Sequence, residues 1–224
     1  MPPTLPLAPD ELLSTTRAVR RRLDFEKPVP LETVRECIAL ALQAPSGSNA
    51  QGWHFVLVTD AEKRARIAEF YRQAFALYRT QPFSAHALTQ QAEDGSQRRI
   101  MAAVTDSAEA LAENLHRAPM LLIACVTGRI EATPAPLLNL AAASLYGSIL
   151  PALWSFMLAG RSRGLGTAWT TIHLLHEKPV AELLGIPHAE VSQAAMTPIA
   201  FTRGDGFRPA KRKGLEHVLH VDGW

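Results

Sequence analysis

From Leu137 to Ala159 the chain is apolar at almost every position, and nothing else in the sequence restricts the fold as strongly. An apolar stretch of that length is either a membrane span or a helix covered on nearly all its sides. Asn139, Ser144, Gly147, Ser148, Pro151 and Ser155 interrupt it, which favours a buried helix over a span. Covering such a helix takes the centre of a large core, or a core completed in part by a second subunit.

The size of the chain bounds the core. With 224 residues, 47% hydrophobic and 20% charged, one domain over residues 1–224 is expected. Lys+Arg number 23 against 21 for Asp+Glu, so no overall field points to nucleic acid. Basic residues gather only locally, at Arg17 to Arg22 and Lys211 to Lys213, which suggests an anionic ligand. Cys37 and Cys125 form no CxxC pair, so neither a disulfide framework nor a zinc site is signalled, and a reducing cytoplasm fits best. The stretch MPPTLPLAPDELL has no basic region leading into an apolar core, so no signal peptide is expected.

Helical and strand-like periods alternate along the chain. Asp10 is a predicted N-cap for a helix running towards Val19. Leu31, Val34, Ile38, Ala41 and Leu42 share one face of a second helix, ending before Pro45. Trp53 to Thr59 reads as a strand and Ala61 to Tyr78 as a helix. Gln81 to Thr105 is weakly periodic, either a mobile excursion or an inserted helical flap. Met120 to Val126 reads as a strand buried on both faces, before the long apolar helix, which Gly164 and Gly166 end. Thr167 to Ile172 is a predicted strand, Pro179 to Leu184 a short helix, and Ser192 to Phe201 a further strand. The whole predicts an α+β protein, a central sheet with helices packed around a long buried one.

Two segments invite a ligand. The guanidinium groups of Arg17, Arg20, Arg21 and Arg22 suit bidentate capture of a phosphate, although alone the run reads more readily as a solvated charged face. Ala44 to Trp53 offers small residues for close approach to a planar ligand, with Ser46, Ser48 and Asn49 as polar partners; alone it is an ordinary turn.

Together their order is specific. Thr16-Arg17-x-x-Arg20, Pro28-Val29-Pro30, a helix, and Ala44-Pro45-Ser46-Gly47-x-Asn49-x-Gln51-x-Trp53 before a strand resemble the N-terminal half of the nitroreductase family. Arg163-Gly164-Leu165-Gly166-Thr167-Ala168-Trp169-Thr170-Thr171 and Arg208-Pro209-Ala210-Lys211-Arg212-Lys213-Gly214-Leu215 resemble its flavin-binding segments. Only Gln81 to Thr105 has no matched counterpart.

The resemblance implies a nitroreductase-like fold with a mostly antiparallel sheet, a homodimer, and non-covalent FMN. It implies that Arg17 and Arg20, with the backbone of Ala18 and Val19, bind the FMN phosphate or the pyrimidine side of the ring. Arg212, helped by Lys211, would reach the same phosphate. Pro45, Ser46 and Asn49 would line the isoalloxazine, commonly from the other subunit in this family, and Trp169, Thr170 and Thr171 would contact the flavin edge. No side-chain nucleophile is required, because the flavin N5 carries the chemistry, fed by NADH or NADPH and emptied by a small acceptor such as a nitroaromatic, quinone or activated alkene. Two departures stand out: Ala18 where many members have Ser, leaving the backbone N–H in place, and Trp154-Ser155 where a Gln-Asn pair is frequent, which alters the pocket or the interface.

Other residues read blandly. His173 with His176, and His217 with His220, lack the companion ligands of a zinc signature and read as structural or surface histidines. Gly164-x-Gly166 follows a helix, so a Rossmann reading fails. Cys125 reads as a small core residue. Two alternatives remain open: a flavin-storing or sensing protein without turnover, and a specialised activity such as reductive dehalogenation or flavin fragmentation.

Overall fold

The structure is a computed structural model that describes residues 4–92, 94–131, 133–204 and 206–224. In chain order its main elements are α1 (Pro9–Thr15), β1 (Leu23–Asp24), α2 (Leu31–Ala41), β2 (Trp53–Val58), α3 (Ala61–Arg79), α4 (Ala85–Gln91), α5 (Gly95–Asn114), β3 (Met120–Thr127), α6 (Leu138–Ser162), β4 (Leu165–Thr167), α7 (Glu177–Leu184) and β5 (Val191–Thr202).

β5 organises the sheet. It pairs antiparallel with β3, β1 and β4, while β3 pairs antiparallel with β2, giving the order β1-β5-β3-β2 with β4 also on β5. β3 explains the layers, because successive side chains on a strand point to opposite faces. Leu121, Ile123 and Cys125 join a core with Ile67, Tyr71, Phe75 and Leu111 from α3 and α5. Met120, Leu122, Ala124 and Val126 join a second core with Val34 and Cys37 of α2 and Ile149, Leu153 and Phe156 of α6. Helices therefore cover both faces, and β3 is buried over Met120 to Val126, as its uninterrupted apolar run predicts.

Several boundaries differ from the sequence reading. Asp10 is not the cap: Pro9 opens α1, where its missing N–H costs nothing, and Asp10 lies in the first turn. The helix stops at Thr15, and Thr16 is already extended (φ −68°, ψ 129°). The buried face of α2 is Thr33, Val34, Cys37 and Ala41, while Leu31 and Leu42 are exposed. The strand expected over Thr167 to Ile172 lies earlier, at Leu165–Thr167. Thr170 makes only an isolated bridge to Met196, and Ile172 begins a 3-10 turn. Gln81 to Thr105 is the helical flap of the two alternatives, with α4 and α5 capped by the side chains of Ser84 and Asp94.

The apolar segment is a helix, but not one buried throughout. Its second half is buried from Ser148 to Arg161 on the inward-facing positions. Near its start Leu138 and Leu140 stand in solvent, with Leu140 66% exposed. Length and composition alone would let the stretch Ala135–Ser162 cross a bilayer; its packing on α2, β3 and β4 occupies the second half.

His173, in the 3-10 turn Ile172–His176, is fully buried with neither ring nitrogen partnered among the described residues. Burial pushes its pKa down to about 3, so the folded ring stays neutral where the unfolded one, at about 6.5, takes a proton. The unfolded state then binds more protons, and stability falls as pH drops through that window, by about 1.4 kcal/mol per pH unit. Urea denaturation of the native chain and His173→Leu across the acid range should show this slope flattened in the variant.

Candidate active site

The arginine run is fixed to the sheet by one backbone contact. Val19 N–H donates to the carbonyl of Thr167 in β4 at 2.7 Å. Gly166 permits that approach: a Cβ there would lie 2.8 Å from Leu23 Cδ2, 2.8 Å from Thr202 Cγ2 and 3.1 Å from Val19 Cγ1. Leu23 then pairs with Thr202, which carries residues 17–22 alongside the far end of β5.

The C-terminal segment closes over the run. Arg203 N–H donates to Arg22 O at 2.8 Å. Arg22 returns Nε to Arg203 O and Nη1 to Gly206 O, both at 2.9 Å, and Arg17 Nη1 donates to Arg208 O at 3.2 Å. The result is a cavity of about 570 Å³ with Arg17 to Arg22 on one side, Gly206, Phe207 and Arg208 on another, and Ile100, Ala103, Val104 and Ser107 of α5 as the outer wall. Among the described residues, Arg17, Arg20, Arg21 and Arg22 pair with no carboxylate, whereas Arg117, Arg129 and Arg163 do.

Arg20 and Val104 also line a second cavity of about 280 Å³ with Trp169, Thr170 and Thr171. Tyr71, Phe75 and Tyr78 of α3 add to its aromatic lining. Tyr71 Oη and Thr170 Oγ1 are 3.0 Å apart and buried. Burial raises the Tyr71 pKa, opposed by the hydroxyl of Thr170, and burial lowers that of Arg20, opposed by Tyr71. A half-buried guanidinium without a carboxylate gains from an anionic ligand. Arg17 also faces a third cavity, of about 350 Å³, with Arg212 and Trp154.

The structure thus brings Arg17, Ala18, Val19 and Arg20 into one cavity, Arg20 and Trp169 to Thr171 into a second, and Arg17 and Arg212 into a third. Lys211 lines none of them and is exposed. Pro45, Ser46 and Asn49 also stand apart. Their loop docks on α6, with Gly47 N–H donating to Ser148 Oγ at 2.9 Å and Trp53 Nε1–H to Ser148 O at 2.8 Å. Ser48, Asn49 and Gln51 have positive φ, 52°, 53° and 50°, a conformation that costs an ordinary side chain energy. Gln51 N–H bonding Ser46 Oγ at 3.0 Å and Gln51 Nε2 bonding Asn49 Oδ1 at 3.0 Å hold it.

Sequence reasoning missed Tyr71, Val104, Ser107 and Phe207. Tyr71 has the spacing of an ordinary core residue, and α5 lay in the unmatched excursion. Cys37 and Cys125 are buried, with thiols pushed up to about 11 and about 12 by desolvation, so neither supplies a thiolate at neutral pH. Among the described residues no group of His, Cys, Asp and Glu is placed to hold a metal.

A sequence profile of the Nitroreductase family matches residues 13–198, and the chain belongs to that family. Over 180 residues it is 28% identical to 5,6-dimethylbenzimidazole synthase of Rhodospirillum rubrum, covering 80% of this chain and 74% of that protein. Its fold is similar to an oxidised iodotyrosine deiodinase bound to FMN and 3-iodo-L-tyrosine, with TM-score 0.68, 21% identity, and 96% and 99% of the two chains covered. It is also similar to the FMN-dependent nitroreductase NfnB of Mycobacterium smegmatis in complex with NADPH, with TM-score 0.65, 20% identity, and 96% and 97% covered. At those identities the structural likeness speaks for the fold, a nitroreductase-like α+β architecture.

Gly166→Ala tests the packing that seats the arginine run. The added methyl should force Leu23, Thr202 and Val19 apart and cost about 1–3 kcal/mol, as overpacking does, read as a lower midpoint in urea.

Proposed function

We propose that the chain is an FMN-dependent oxidoreductase that takes electrons from NAD(P)H and passes them to a small oxidised acceptor. The observation that carries this is the uncompensated arginine cavity joined through Arg20 to the aromatic cavity at Trp169 to Thr171. One end is built for a dianion and the other for a flat ring, which fits FMN.

In this reading Arg17 and Arg212 hold the phosphate, with the backbone of Ala18 and Val19 beside them, and Lys211 adds charge nearby. Arg20 lies between the two cavities and supplies positive charge to the pyrimidine side, where a reduced ring is anionic. Trp169, Thr170 and Thr171 orient the ring edge. Bound FMN supplies the two-electron redox chemistry, donor and acceptor meeting it in turn, so ping-pong kinetics are expected. The protein's part is orientation, charge and exclusion of water by Val104 and the aromatic side chains of α3.

A homodimer belongs to the same proposal. Leu137, Leu138 and Leu140 at the start of α6 and Leu215, Val218, Leu219, Val221 and Trp224 are exposed in the single chain. More apolar surface is bare here than a monomer usually leaves, and a symmetric interface would cover it. Pro45, Ser46 and Asn49, which line none of the three cavities described above, would then serve the partner's flavin. The partners proposed are a second copy and small molecules, in the cytoplasm, as one domain over residues 1–224.

A second reading keeps the flavin and changes the product: the match to 5,6-dimethylbenzimidazole synthase runs over most of the chain, so product analysis after turnover should include fragments of the flavin itself.

Three outcomes are expected. Anaerobic addition of NADH or NADPH to the FMN-loaded chain bleaches the flavin's visible band, and a nitroaromatic or quinone restores it; flavin that resists both donors would move the chain to storage or a different reductant. Arg20→Ala should weaken FMN binding by about tenfold to a hundredfold, the worth of one charge-assisted contact. Sedimentation at micromolar concentration should give a dimer, and a monomer there would remove the second wall of the site.

A further inference from the structure

Phe207 is a lone aromatic between Gly206 and Arg208, before the basic tail. Two guanidinium groups lie against its ring: Arg22 Cζ is 4.2 Å from the centroid and Arg161 Cζ 4.6 Å. Arg161 comes from the last turn of α6 and is 4% exposed, so it is anchored in the core. Arg22 is fixed differently, by donating Nε and Nη1 to the carbonyls of Arg203 and Gly206. A planar guanidinium held by two such bonds presents its face in one direction, which is where an aromatic ring stacks well. Gly204, with φ +72°, turns the chain back beside Arg22, whose Nη2 lies 3.0 Å from the position a Cβ would take.

The placement matters because of what lies on either side. Phe207 and Arg208 wall the arginine cavity, Arg17 holds the carbonyl of Arg208, and four residues later Arg212 meets Arg17 in the adjoining cavity. The basic side chains from residue 208 onward are exposed and, without an anchor, would be free to leave. Arginine donors to backbone carbonyls hold the strip at Arg203, Gly206 and Arg208, and the ring of Phe207 packs against the body of the protein.

We infer that Phe207 is a positioning residue for anion binding: gripped by Arg22 and Arg161, it fixes the tail so that Arg212 and Arg17 converge on the phosphate of the flavin. This rests on the flavin reading given above, and it makes the preference for FMN over riboflavin, which lacks the phosphate, depend on a residue that itself carries no charge.

The test uses the whole chain, native and as Phe207→Ala and Phe207→Trp. Affinities for FMN and riboflavin are measured by quenching of flavin fluorescence. The native chain should prefer FMN by on the order of a hundredfold, about tenfold for each of two charge-assisted contacts. Phe207→Ala should reduce that preference below about tenfold while moving riboflavin affinity by less than about threefold, and Phe207→Trp, which keeps a ring for both guanidiniums, should restore most of it. Equal weakening of both flavins, with the ratio intact, would mean a structural role only and overturn the inference. A second arm needs no flavin: trypsin cleavage between Arg203 and Gly204, followed by mass spectrometry, should be at least about tenfold faster in Phe207→Ala and near native in Phe207→Trp. An unchanged cleavage rate overturns the inference even if neither flavin binds, whereas loss of flavin binding by the native chain overturns the proposed function and leaves this arm to decide whether Phe207 holds the tail.

Discussion

The backbone contact from Val19 N–H to Thr167 O is the junction on which the site depends. It ties an extended, highly charged segment to a three-residue strand, which itself pairs with β5 and packs on the end of α6. Without it the arginines would sit on an untethered loop; with it the backbone of the run is fixed beside β4. The closeness required is available because Gly166 has no side chain, so three neighbouring side chains fill the space where a Cβ would stand. Packing, not charge, decides where the charge goes.

Electrostatics then sets the arginine run apart from the rest of the chain. The net charge of +2 conceals an uneven distribution. Some arginines elsewhere are neutralised nearby: Arg129 sits between Glu131 and Glu177, and Arg163 reaches Glu36. In the run from Arg17 to Arg22 the donors instead go to carbonyls, as for Arg17 and Arg22, or find no carboxylate among the described residues, as for Arg20 and Arg21. Carbonyls satisfy hydrogen bonds but do not cancel charge, so the positive charge of the cluster at the cavity wall is left in place.

How much of this was legible in the sequence depends on the range of the interactions involved. Period and turn chemistry reveal local structure, so β2, β3, α3 and β5 lie within a residue or two of expectation, and Gly185 ends α7 in the left-handed conformation its position suggests. Motif order pointed to the arginine run and to Trp169 to Thr171, which the structure joins through Arg20. The errors come from tertiary forces. α1 ends early because residues after Thr15 are drawn to β4, and β4 lies before the expected strand because its partner on β5 is Ile199 to Phe201. The first turns of α6 are exposed at Leu138 and Leu140 although the run is apolar throughout, because composition alone does not say which positions the core reaches. Tyr71, Val104 and Phe207 were invisible as site residues, since each looks like packing until the walls of the cavity are assembled around it.

The bond from Arg17 to Arg208 joins positions 191 residues apart, and this sets an order of events during synthesis. At ~5–20 residues per second, the N-terminal arginines wait on the order of 10–40 s before the segment that closes their cavity exists. Helices α2 and α3 and the β2–β3 pairing can form during that wait, since their partners are already present, but the arginine-lined cavity cannot close. The arginine-lined cavity is therefore closed last, as one of the final steps of folding, and a translation product truncated before residue 203 would carry an almost complete core and an open cavity.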